Sequence, residues 1–211
     1  MTPCDAVRCA RIAYLQDGRD EAAKLGFSYQ SLHREGTFCW IGRKGRKTIV
    51  AVRGSGRMLH TALQHEPNRL TDQVPWLGNG RVHQGYYQSL WQILNELRIL
   101  LRGQTEIYFT GHSYGAAIAM LSAILIGGQR VFCFASPKVG DLEFAEAAQG
   151  TLRITRYENR CDTMTRYPHW GSIKGTGGQK NGHYVHAGRR VRLAGIGSSI
   201  SSYVRGLQNQ P

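Results

Sequence analysis

Gly111-His112-Ser113-Tyr114-Gly115 has the residue types and the spacing that nucleophilic chemistry requires. A serine hydroxyl can attack a carbonyl when it is exposed at a sharp bend and when N–H groups stand ready for the developing oxyanion. The pattern is G-x-S-x-G. Its two glycines remove Cβ atoms where a strand turning directly into a helix would crowd itself. The N-terminus of the helix that follows offers unpaired N–H groups to an anion. A glycine-rich βα turn with an idle surface serine would carry the same five letters, so the flanks decide. Ile107 to Thr110 is β-branched and aromatic and reads as a short buried strand. Ala116 to Ile126 is mostly Ala, Leu, Ile and Met, and Gly127-Gly128 follows, so it reads as a buried helix with a clear end.

Other elements must hold this turn in place. Thr48 to Val52, Val131 to Ala135 and Leu152 to Tyr157 read as further strands. Between them, Leu90, Ile93, Leu94, Leu97 and Leu101 fall at helical spacing, and Leu142 to Ala148 forms a shorter helix. Strands alternating with helices predict a mostly parallel sheet with right-handed crossovers and helices on both faces. In such sheets sites gather at the carboxyl ends of strands. Asn159-Arg160-Cys161-Asp162 lies just past the end of one of these strands, which puts Asp162 in the same layer as Ser113. Arg53-Gly54-Ser55-Gly56 follows the strand ending at Val52, and an N–H from this turn is placed to act as a second oxyanion donor.

The remaining segments are less informative. Residues 5 to 15 are read as an opening helix, and Gly26 to Trp40 as an early strand pair. Arg43 to Lys47 is read as a basic hairpin turn, and residues 57 to 80 as a candidate lid, from their position rather than their pattern. Residues 171 to 182 read as a Gly- and Lys-rich loop, His183 to Val191 as a hairpin strand, and Ile196 to Leu207 as a short helix. No linker or internal repeat interrupts residues 1–211, so one domain is expected.

The chain carries 27 basic and 14 acidic residues, a formal charge of +13, and no Asp or Glu follows Asp162. Such a field draws anions: nucleic acid, an anionic lipid surface or an acidic partner protein. No recognition helix or RNP-like aromatic motif accompanies it, which argues against nucleic acid. The five cysteines show no C-x-x-C spacing, so neither a disulfide framework nor a zinc site is expected, and Cys161 reads as a small buried side chain. Met1 to Arg8 has no apolar core of a signal peptide. Synthesis in the cytoplasm, with any export by a route that needs no cleaved signal, is the expectation.

Five motifs, in order, resemble the class 3 lipase family, the fungal triacylglycerol lipase type of the α/β-hydrolase superfold. They are Val50-Ala51-Val52-Arg53-Gly54-Ser55, Val82-His83-Gln84-Gly85-Tyr86, Thr110-Gly111-His112-Ser113-Tyr114-Gly115-Ala116, Phe134-Ala135-Ser136-Pro137-Lys138-Val139-Gly140, and Asn159-Arg160-Cys161-Asp162 with Pro168. The resemblance implies an α/β-hydrolase fold and a carboxylic ester hydrolase that uses no metal or cofactor. It implies Ser113 as nucleophile, Asp162 as the acid that orients a base, and the N–H groups of Ser55 and Tyr114 as the oxyanion hole, with the Ser55 hydroxyl as an added donor.

The base breaks the pattern. The family's late segment resembles His-Ser-Met-x-x-Tyr, and here it reads Ser198-Ser199-Ile200-Ser201-Ser202-Tyr203, so Ser198 occupies the histidine's place. His186 and His183 are weaker substitutes. His112 is expected to point into the scaffold, and His83 to brace a sheet edge. Three explanations stand: an inactivating His-to-Ser replacement, a natural lipid-binding pseudoenzyme, or another residue as base. The expected substrate is lipid or phospholipid at an anionic membrane surface. An effector delivered into another cell and held silent by an inhibitory or immunity-type protein fits the charge and the missing signal.

Overall fold

The computed structural model describes residues 1–54, 72–168 and 183–208. Among these, the strands are β1 (Gln30–Arg34), β2 (Thr37–Lys44), β3 (Lys47–Val52), β4 (Gln73–Pro75), β5 (Arg81–His83), β6 (Glu106–His112), β7 (Arg130–Phe134), β8 (Arg153–Arg160) and β9 (Arg189–Ile196). The helices are α1 (Pro3–Ile12), α2 (Arg19–Lys24), α3 (Gln84–Leu100), α4 (Tyr114–Ile126), α5 (Leu142–Thr151) and α6 (Ile200–Gln208). Seven strands form the main sheet in the order β1-β2-β3-β6-β7-β8-β9. The β1–β2 and β2–β3 pairs are antiparallel, and every pair from β3 to β9 is parallel.

Parallel strands covered on both faces must be apolar on both faces. β7 shows it residue by residue. Val131 and Cys133 join a core shared with α3, α4 and α5, while Phe132 and Phe134 join a second core with α1 and α6. Helix α3 contributes Leu90, Ile93, Leu94 and Leu97, all fully buried. Each such side chain stabilises the fold by about 2 kcal/mol. Helix α4 is buried continuously from Tyr114 to Ala123 and ends at Gly127 in a left-handed cap. A helix apolar all round can sit only in the interior.

Three expectations need correction. Residues 183–188 do not begin a hairpin strand. Val185 makes an isolated bridge to Gly140, and the strand starts at Arg189, parallel to β8. The reason is alternation: Val191 and Leu193 turn inward against α6's core while Arg190 and Arg192 face out, which suits an edge strand beside β8. Strand β8 continues through Arg160 rather than stopping at Tyr157. Of the candidate lid, residues 57–71 lie outside the described residues. The part from Gln73 onward is a small hairpin of β4 against β5, with Trp76 buried on Phe144 and Tyr87. That part belongs to the body of the fold. The 171–182 loop also lies outside the described residues.

Candidate active site

Strand β6 passes into α4 through one residue, Ser113, whose φ of 56° and ψ of −128° are rare for a side chain with a Cβ. Such strain costs about 1–3 kcal/mol and persists only where the surroundings enforce it. Here the surroundings are backbone. A Cβ on Gly111 would stand 2.3 Å from the Gly115 carbonyl oxygen, and one on Gly115 would stand 2.4 Å from that of Val52. The Ser113 N–H donates to the Phe134 carbonyl at 2.9 Å, which ties the bend to the end of β7.

Tyr114 opens α4, so its N–H has no partner within the helix. Its hydroxyl donates to the Gly85 carbonyl at 2.8 Å and accepts from Ser89 at 2.9 Å. The side chain is thus fastened to α3 and leaves the main chain at the bend. Ser55, the other expected oxyanion donor, lies outside the described residues. Gly54 before it comes close to the elbow, since a Cβ there would meet the Tyr14 hydroxyl and the His112 carbonyl.

Asp162 follows β8 and is buried. Its Oδ1 accepts the Met164 N–H at 2.9 Å, and its Oδ2 accepts the Tyr203 hydroxyl at 2.5 Å. Tyr203 also accepts the Asn159 N–H at 3.1 Å. Burial, then the Asp162 charge, push the Tyr203 hydroxyl upward in pKa, so it remains a donor. Cys161, read from the sequence as buried, is exposed with a φ of 59°. The turn that delivers Asp162 inward turns its neighbour out.

Ser198 is exposed in the turn between β9 and α6. Its carbonyl accepts a hydrogen bond at 2.7 Å from Nε2 of His112, the residue next to Ser113 in the chain. The adjoining Gly197 is held by Arg160 through its N–H and by Asn159 through its carbonyl. The fold therefore brings Ser113, Asp162 and residue 198 to one end of the sheet, with Tyr203 linking the last two elements.

The described histidines near this end are spoken for. A carbonyl only accepts, so His112 carries its proton on Nε2, and its Nδ1 accepts from the Tyr14 hydroxyl at 2.7 Å. Burial lowers its pKa to about 4. His186 donates Nε2–H to the Thr165 carbonyl. Burial, then Arg156 and Lys138, lower it to about 3, which leaves little affinity for a serine proton. His83 caps α3, accepting from the Gly85 N–H, and burial lowers it to about 3. It braces a helix start and the small hairpin rather than an edge of the main sheet. His112, Tyr14 and Tyr203 were not singled out from the sequence as site residues. For Tyr203 the available signal was a hydroxyl-bearing aromatic on the inward stripe of Ile200, Val204 and Leu207.

The family model for class 3 lipase matches residues 49–172, more than half of the chain. A phospholipase A1-II 1 of Oryza sativa is 35% identical over 95 residues, 38% of this chain and 24% of that protein. Phospholipase A1-IIgamma of Arabidopsis thaliana is 29% identical over 168 residues, 61% of this chain and 39% of that protein. The chain thus matches well under half the length of these relatives. A solved triacylglycerol lipase, whose catalytic centre is described as a serine protease triad, superposes with a TM-score of 0.72. It is 19% identical and covers 91% of this chain and 79% of its own.

Proposed function

The chain belongs to the class 3 lipase family, and on that premise we propose that it is a serine-dependent lipid ester hydrolase of phospholipase A type, directed at anionic membrane. The observation that carries this is Ser113, a strained non-glycine residue between a strand and a buried helix, with Asp162 just past the end of β8, the next parallel strand but one. The chemistry follows. A base takes the Ser113 proton, Oγ attacks the ester carbonyl, and the tetrahedral oxyanion is met by the Tyr114 N–H and, by resemblance, that of Ser55. The alkoxide leaves with the proton held by the base, and water then releases the acyl group by the reverse sequence. Each oxyanion donor stabilises the transition state by about 3 kcal/mol.

As written, the chain has Ser198 where the family places its base, and a serine cannot accept that proton near neutrality. We infer that this form is inactivated and that histidine at 198 completes the triad. The basic surface, with a formal charge of +13, supports an effector kept silent by an acidic protein partner. The second reading, a lipid-binding pseudoenzyme, is favoured by the same fact that His83, His112 and His186 are held neutral by burial.

The test is Ser198→His in the full chain. Hydrolysis of phospholipid vesicles and p-nitrophenyl esters is expected to rise by about 10³-fold or more, with labelling of Ser113 by a fluorophosphonate. No gain in the folded variant, with lipid binding intact, selects the pseudoenzyme. Full turnover by the unsubstituted chain, lost on His186→Ala, would overturn the assignment of residue 198.

A further inference from the structure

A cleft of about 500 Å³ opens between the end of β8 and the first half of β9, and Asp162 forms part of its wall. Five cationic side chains line it: Lys138, Arg160, Arg166, Arg190 and Arg192. Its two carboxylates are already engaged. Asp162 accepts from Tyr203 and Met164, and Glu158 is paired with Arg156 and, at 3.9 Å, with Arg190. Neither Arg160 nor Arg166 makes an ion pair among the described residues, so their charge is not cancelled within the wall. His186, also on the wall, resists ionisation first because it is buried and then because Arg156, Lys138 and Arg190 stand near it. Gathered in a concave wall, these charges focus the potential more than the same charges spread over a flat surface. The volume suits a headgroup-sized ligand.

We propose that this cleft binds the phosphate of the glycerophospholipid substrate, with Arg160 and Arg166 as the residues that set headgroup preference. The inference rests on the lipid-hydrolase reading for its substrate. Guanidinium groups match phosphate oxygens in pairs and hold their charge at any working pH. Because Asp162 forms part of the wall, a phosphate seated here is bound beside the residue proposed to orient the base. A triglyceride has nothing to place in the cleft.

The test measures binding, so it does not depend on turnover. The full chain carrying Ser113→Ala is titrated with phosphatidylcholine vesicles with and without phosphatidylglycerol, with inorganic phosphate, and with a single-stranded oligonucleotide. Arg160→Gln with Arg166→Gln is expected to weaken partition onto the phosphatidylglycerol vesicles about thirtyfold at low salt. Arg98→Gln with Arg153→Gln removes the same charge at the opposite end of the sheet and is expected to change it less than about threefold. Thermal midpoints confirm that both variants are folded. Equal losses in the two pairs would mean a diffuse surface field and overturn the proposal. So would sensitivity of inorganic phosphate binding alone, with vesicles unaffected, or a larger loss for the oligonucleotide. If Ser198→His fails to restore hydrolysis while the cleft variants behave as stated, the hydrolase reading falls and the phosphate site stands.

Discussion

At the scale of single residues, Tyr203 does two jobs with one oxygen: it donates to Asp162 and accepts from the Asn159 N–H. Tyr203→Phe keeps the ring in its core with Phe134 and removes both bonds. A buried carboxylate and a buried N–H then lose a partner, so the folded state should weaken by about 2 kcal/mol in urea unfolding. In a Ser198→His background the same change should also cut kcat, since Asp162 would be free to rotate away from the imidazole. A fall in stability with unchanged kcat would leave Tyr203 as structural support alone. The residue at 198 was legible only through the resemblance, because a serine among serines announces nothing by its own chemistry. His112 was read as pointing into the scaffold, and it is buried there. That its Nε2 grips the 198 carbonyl is a contact between residues 86 positions apart, and no local pattern encodes it.

At the scale of elements, the elbow is rigid because backbone stands where side chains would be. Gly115→Ala would drive a Cβ to 2.4 Å from the Val52 carbonyl. Strand β3 and the start of α4 would have to separate, at an expected cost of about 3 kcal/mol. With Ser198→His present, hydrolysis should drop sharply as Ser113 shifts, and a crystal structure should show the β3–α4 gap widened. Unaltered activity would mean that the bend is held elsewhere. This element was readable from the sequence because its requirement is local: a strand, five residues, a helix. Strand β9 was misjudged for the opposite reason. Its inward Val191 and Leu193 were visible, but its parallel partner β8 lies some thirty residues back, and alternation alone does not say on which side a strand will pair. The far part of the candidate lid, Trp76 included, misled because scattered apolar residues look the same in a loop and in a small hairpin.

Over the whole molecule, three imidazoles are kept neutral by the fold. His83 and His186 are lowered to about 3 and His112 to about 4, burial being the first cause in each. Above the ordinary histidine value of about 6.5 both folded and unfolded forms are neutral, and this costs nothing. As pH falls below that value the unfolded chain binds protons that the folded chain refuses. Stability should therefore decline between about pH 6.5 and 4, by up to about 1.4 kcal/mol per pH unit for each histidine. Urea midpoints measured from pH 7.5 to 4.5 check this, and His112→Asn should flatten part of the slope. A midpoint that rose on acidification would show that these rings are protonated inside the fold. Charge alone announced an anion-seeking molecule, whereas its focus at one cleft needed β8, β9 and the turn at Lys138 to meet.

The grip on residue 198 is by its carbonyl, which every amino acid possesses. That contact is therefore kept whichever side chain is fitted there. On the proposed assignment, a single codon at 198 would switch the molecule between silent and active while this anchor stays in place.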